Sequence, residues 1–88
     1  MAYAARVRLP GSLGQLLRSE MARSISEANL GNSDSLIAKR YLLEHIAQID
    51  IAIEVDCERS TISRRLPKII AKVEEAAQRL ELISQNIT

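Results

Sequence analysis

Aromatic residues are almost missing from this chain. Its 88 residues hold two tyrosines, Tyr3 and Tyr41, and no phenylalanine or tryptophan. A core must therefore be built from Leu, Ile, Val and Ala, which suits small packed helices better than a sheet or sandwich. Cysteine is limited to Cys57. No disulfide can form within the chain, and a reducing, cytoplasmic setting is expected. One histidine, His45, beside one cysteine does not supply the ligand set of a zinc site, so neither metal nor cofactor is expected. No phosphate-cradling glycine motif occurs among the three glycines. No apolar run approaches the ~20 residues of a membrane span. The first ten residues carry Arg6 and Arg8 without a signal-peptide stretch, so no membrane association is expected. His45 and Cys57 read as a helix-ending residue and a turn residue. With little room for a concave site in a small helical domain, catalysis is not expected.

What is present is a globular balance, 47% hydrophobic and 26% charged. The net charge of +1 conceals an uneven distribution. Residues 1–43 hold six bases and three acids. Residues 44–58 hold five acids (Glu44, Asp50, Glu54, Asp56, Glu58) and no Lys or Arg. Residues 59–72 reverse this, with five bases (Arg59, Arg64, Arg65, Lys68, Lys72) and no acid. A local basic segment is an electrostatic footprint for phosphate even in a nearly neutral chain.

The pattern predicts an all-α, four-helix domain. Residues 1–11 read as an N-terminal tail ending at Pro10-Gly11, residues 12–84 as one helical domain, and 85–88 as a frayed end. Ser12 is the expected cap of a first helix carrying Leu13, Leu16, Leu17, Met21, Ile25 and Ala28 at helical spacing. Asn29 to Asn32 is a stop, with Gly31 suited to a left-handed cap. Asn32 or Ser33 then caps a second helix ending around Glu44 or His45. A short third helix spans about 48–55, with Ile49, Ala52 and Val55 on one face and Ile51 beside them. A break follows at Asp56-Cys57.

A long amphipathic helix then runs toward the C-terminus. Its stripe of Ile62, Leu66, Ile69, Val73, Ala76, Leu80, Ile83 and Ile87 has heptad spacing. Ile70 and Ala77 widen the stripe, which favours packing in a bundle over a freestanding coiled coil. Glu75 and Arg79, four apart, suit its exposed face. The heptad phase is unbroken across Pro67 and predicts a nearly continuous, kinked helix.

Residues 48–66 carry the functional expectation. Two helices separated by a turn of three or four residues make a helix-turn-helix. Ala52 is small where the helices cross, and Ile51, Val55, Ile62 and Leu66 supply their apolar contacts. Asp56 falls where the turn needs a left-handed residue, which Asp tolerates. At about 100° per residue, with Ile62 pointing to the core, Ser60 lies about 160° away, Arg64 about 200° and Lys68 about 240°. These three therefore project outward, with Arg59 and Arg65 on the flanks. In a major groove, Arg64 suits a guanine edge, and Ser60 or Ser63 a base or phosphate. Thr61 adds a hydroxyl near the helix start. Arg59, Arg65, Lys68 and Lys72 suit phosphates. The competing assignment pairs Arg59 or Arg65 with Glu54 or Asp50 inside the fold.

The stretches Ser33-Asp34-Ser35-Leu36-Ile37-Ala38 to Leu43, Gln48-Ile49-Asp50-Ile51-Ala52 and Arg59-Ser60-Thr61-Ile62-Ser63-Arg64-Arg65-Leu66 resemble the fourth region of bacterial sigma factors. They are most similar to the small stand-alone proteins with that region in Gram-positive bacteria, phages and mobile elements. The resemblance covers about residues 33–72 and implies double-stranded DNA binding through residues 59–68, with Gln48 at a helix start near a phosphate. It leaves no room for the other regions of a complete sigma factor. Asp56 at the turn, Glu58 before the second helix and Pro67 within it depart from the family pattern. The implied function is sequence-specific DNA binding by a small transcriptional regulator, acting as a homodimer. The alternative is a protein-binding regulator or inhibitor on the same scaffold, directed at RNA polymerase or a host defence complex. Residues 13–28 or 80–87 could supply a dimer interface, and the basic Arg6-Val7-Arg8 an arm to a minor groove.

Overall fold

A computed structural model describes residues 9–83 of the chain. These residues form an all-α fold with no strand among them. The order is α1 (Gly11–Gly14), α2 (Arg18–Glu27), α3 (Asn32–Ala38), a π-helical turn (Lys39–Leu43), α4 (Gln48–Glu54) and α5 (Arg59–Arg79). α2, α3 and α4 all pack on α5, the long C-terminal helix.

Leucine and isoleucine fill the core as the composition requires. Leu13, Ile37, Ile51, Ile62, Leu66 and Val73 are completely buried, and Ile25 and Ile69 nearly so. The five buried stripe positions of α5 are Ile62, Leu66, Ile69, Val73 and Ala76, joined by Ile70 and Ala77. The buried arc is thus wide, as a helix packed on several neighbours needs. The one buried polar side chain among the described residues, Ser24, donates its hydroxyl to the Glu20 carbonyl at 2.9 Å.

α5 runs unbroken through Pro67, as the heptad phase predicts. Proline disfavours helical angles at the residue before it, yet that residue, Leu66, is fully buried. Burying Ile62, Leu66 and Ile69 together outweighs the local preference. Pro67 itself is exposed, so its ring disturbs no packing.

The first predicted helix is in fact two. α1 stops at Gly14, a poor helix former, and α2 begins only at Arg18. Leu17, placed on the buried face by helical spacing, is 65% exposed in the break. Its N–H donates to Glu20 Oε1 at 2.9 Å, half of a capping box that lacks the reciprocal side chain. Ser12 is not a cap either. Pro10 precedes α1, and the Ser12 hydroxyl reaches Glu74 Oε2 at 3.4 Å.

Four helix ends share one device. Asn29, His45, Asp56 and Glu81 adopt positive φ of 54°, 56°, 59° and 62°. Each follows a helical segment closely, so non-glycine residues supply the left-handed corners. Asp56 does so as predicted. Asn29, and not Gly31, closes α2. Gly31, with φ 93°, is instead the residue that opens α3, in place of Asn32 or Ser33. At Asp56 the Cys57 N–H returns to the Ala52 carbonyl at 2.9 Å, and at Glu81 the Leu82 N–H returns to Ala77 at 2.9 Å. Both satisfy helix-end carbonyls in the manner of a Schellman motif. The corner at Glu81 also ends the predicted stripe. Leu80 caps α5 and Ile83 lies beyond it, while Ile87 and the Arg6-Val7-Arg8 arm lie outside the described residues.

The second predicted helix changes character halfway. Its last turn, Lys39–Leu43, is π-helical, with the Glu44 N–H on the Lys39 carbonyl at 3.1 Å. Arg18 Nη1 donates to the Leu43 carbonyl at 2.6 Å, satisfying an end group from outside the helix.

Candidate nucleic-acid interface

α4, the turn 55–58 and the first turns of α5 form a helix-turn-helix held by apolar contacts. Ile51, Ile62 and Leu66 are fully buried, Ala52 is 2% exposed, and Val55 packs against the same cluster. Ile49 is an exception. Predicted on the buried face, it is 51% exposed, because α4 turns Ile51 and Ala52 inward instead.

Packing that side of α5 into the core fixes what its other side presents. Ser60, Arg64, Lys68 and Lys72 are all exposed. They follow one another at steps of four and so form a ladder about 18 Å long. Between them stand exposed Pro67 and Ala71, whose small side chains leave the helix surface open to close approach. Arg59 is exposed at the helix start. Arg59, Arg64, Lys68 and Lys72 have no ion-pair partner among the described residues. The preceding residue, Glu58, is extended and makes no side-chain cap, so the first N–H groups of α5 are not capped from that position.

The remaining predicted site residues are engaged within the fold. The Ser63 hydroxyl donates to Gln48 Oε1 at 2.6 Å, joining the start of α4 to α5. Thr61 is half-buried. Arg65 donates to Asp34 Oδ1 at 3.3 Å, tying α5 to α3. The competing assignment of Arg59 or Arg65 to Glu54 or Asp50 is therefore incorrect. The base that meets Glu54 is Arg40, which binds Glu54 Oε2 at 2.9 Å and Glu44 Oε2 at 3.0 Å. Hydrogen bonding to Arg40 holds the Glu54 carboxyl below its usual range, against a smaller opposing effect of burial. The same bond raises Arg40.

Sequence reasoning missed this Arg40 bridge. Arg40 and Glu44, four residues apart, were a legible half of it; Glu54 was not, because α4 reaches Arg40 only through tertiary packing. Arg79 plays a similar part. It donates to the Glu27 carbonyl at 3.3 Å, lies 3.8 Å from the Glu27 carboxylate and 4.0 Å from Glu75. The Glu75–Arg79 spacing predicted the last contact alone.

These bridges sort the charges. Arg18, Arg40, Arg65 and Arg79 staple elements together, while Arg59, Arg64, Lys68 and Lys72 on α5, like Arg23 and Lys39 elsewhere, are left to solvent. No group of His, Cys, Asp and Glu among the described residues could hold a metal ion. No helix among them is long and apolar enough to cross a membrane. Compared with known proteins, the chain matches no family model, and no curated protein or solved structure matches it significantly.

Proposed function

We propose that α5 is a recognition helix for double-stranded DNA and that the chain acts as a small transcriptional regulator. One observation carries this reading: four exposed cations on one helix lack internal partners, although acids are abundant in the preceding segment. Uncompensated surface cations on a helix favour a polyanion. A helix of 10–12 Å diameter suits a major groove about 12 Å wide. In this arrangement Arg64 reads a base edge with Ser60 beside it. Arg59, Lys68 and Lys72 neutralise phosphates, and the bonded Gln48–Ser63 and Arg65–Asp34 pairs hold the helix at its angle. Glu58, Asp56 and Asp50 keep phosphates off the turn and α4. A two-fold dimer would present two such helices about 34 Å apart.

The test is fluorescence anisotropy of a labelled duplex titrated at several salt concentrations. Three phosphate contacts per protomer give a slope of log affinity against log salt of about −2.7. Lys68→Ala should reduce that slope by about 0.9. Arg64→Ala should weaken binding to a preferred sequence more than to random duplex. No retention on duplex DNA at low salt would refute the proposal.

A further inference from the structure

α4 turns Ile51 and Ala52 into the core, yet two other isoleucines of the same helix face away from it. Ile49 is 51% and Ile53 71% exposed. Four residues apart, they form one apolar strip along the outer surface. Leu9, Leu17, Ile49 and Ile53 are the large hydrophobic side chains exposed among the described residues, so half of them stand on this seven-residue helix.

The surroundings of the strip are acidic. Asp50 and Glu54 lie about 100° around the helix from Ile49 and Ile53, and exposed Asp56 and Glu58 follow in the turn. Glu54 is held by Arg40, but Asp50, Asp56 and Glu58 have no ion-pair partner among the described residues. Residues 44–58 contain no Lys or Arg to offset them. A second copy docked α4 against α4 would set these acids against each other, on a helix only about 10 Å long. Like charges brought together in this way oppose association. A basic surface meets both features at once.

We propose that the Ile49–Ile53 strip is a docking face for a basic amphipathic helix of a partner protein. Its apolar side would cover the two isoleucines, and its Lys or Arg residues would meet Asp50, Asp56 and Glu58. This face is separate from the Ser60–Lys72 ladder, so the inference does not depend on what α5 binds.

The probe is a 14-residue amphipathic peptide of Leu and Lys, compared with its Leu and Glu counterpart. It is added to the full chain carrying labelled isoleucine methyl groups and followed by NMR. The Leu/Lys peptide should shift the Ile49 and Ile53 methyl signals and leave those of Ile62 and Ile69 in place. I49S/I53S should weaken binding at least about tenfold, because apolar surface equal to roughly one isoleucine is no longer buried. D50N/D56N/E58Q, which keeps the strip and the helix, should also weaken it and flatten its salt dependence. Equal shifts with the Leu/Glu peptide, or undiminished binding by both variants, would overturn the proposal. So would a sedimentation-equilibrium dimer that I49S/I53S dissociates, since that result would give the face to a second copy.

Discussion

Replacing Pro67 with alanine should stabilise this protein, and by a measurable amount. Pro67 lies inside α5 with eight helical residues before it and twelve after it. In an uninterrupted helix the N–H of residue 67 would bond the carbonyl of Ser63, but proline has no N–H and crowds that carbonyl. Relative to alanine, an interior proline costs about 3 kcal/mol. Proline also restricts the unfolded chain, and losing that restriction returns about 0.4–1 kcal/mol to the unfolded side. Because Pro67 is exposed, no cavity forms when its ring is removed. The net expectation is a gain of about 2 kcal/mol. For a domain of this size, each kcal/mol moves the melting temperature by about 4–8 °C, so Pro67→Ala should melt about 8–16 °C higher. Far-UV circular dichroism at two protein concentrations measures this and separates folding from association. An unchanged or lower melting temperature would refute the reasoning. It would mean that two helices meet at Pro67 and that no single strained helix passes through it.

Leu66→Ala should do the opposite. Leu66, on α5, is fully buried in the core, so truncation should cost about 2–5 kcal/mol, read as a lower urea midpoint at unchanged m-value. His45→Gly should raise stability by about 0.5–1 kcal/mol in the same assay, because His45 holds φ 56° with a side chain that disfavours it. Acidification should act through Glu54. Its carboxyl is depressed below 4.5 in the folded state by Arg40, so its contribution is complete above that value and lost as pH falls through the lower folded one. Melting temperatures taken from about pH 5 down to pH 3 should therefore fall less steeply in Arg40→Met than in the parent.

Much of the all-α architecture was legible because it follows from periodicity. The stripe from Ile62 to Ala76 is a repeated physical demand, and all five of its positions answer it by becoming buried. The turn at Asp56 was legible because few residues accept its angles. The outward aim of Ser60, Arg64 and Lys68 followed from helix geometry once Ile62 was placed. What the sequence concealed lies where no glycine marks an ending. Asn29 and His45 fall where helix ends are expected, but nothing near Glu81 marks its corner, so the stop at Leu80 had no local sign. Gly14 and Glu20 did mark the break before α2, but the leucine spacing across it was stronger. For the candidate site, burial and exposure were readable and partnership was not. Helix geometry sets Arg64 outward and Arg65 on a flank, but nothing in the spacing names Asp34 as the acid that Arg65 meets. That partner comes from where α3 lies against α5.

The four left-handed corners also bear on how this chain can change over generations. Most substitutions in a small domain erode its stability, and few positions offer a ready remedy. Here Asn29, His45, Asp56 and Glu81 each admit a single-residue change to glycine that relieves backbone strain without touching the core. A lineage could therefore absorb a damaging substitution in α5, including one that redirects its outer face, by relaxing a corner elsewhere.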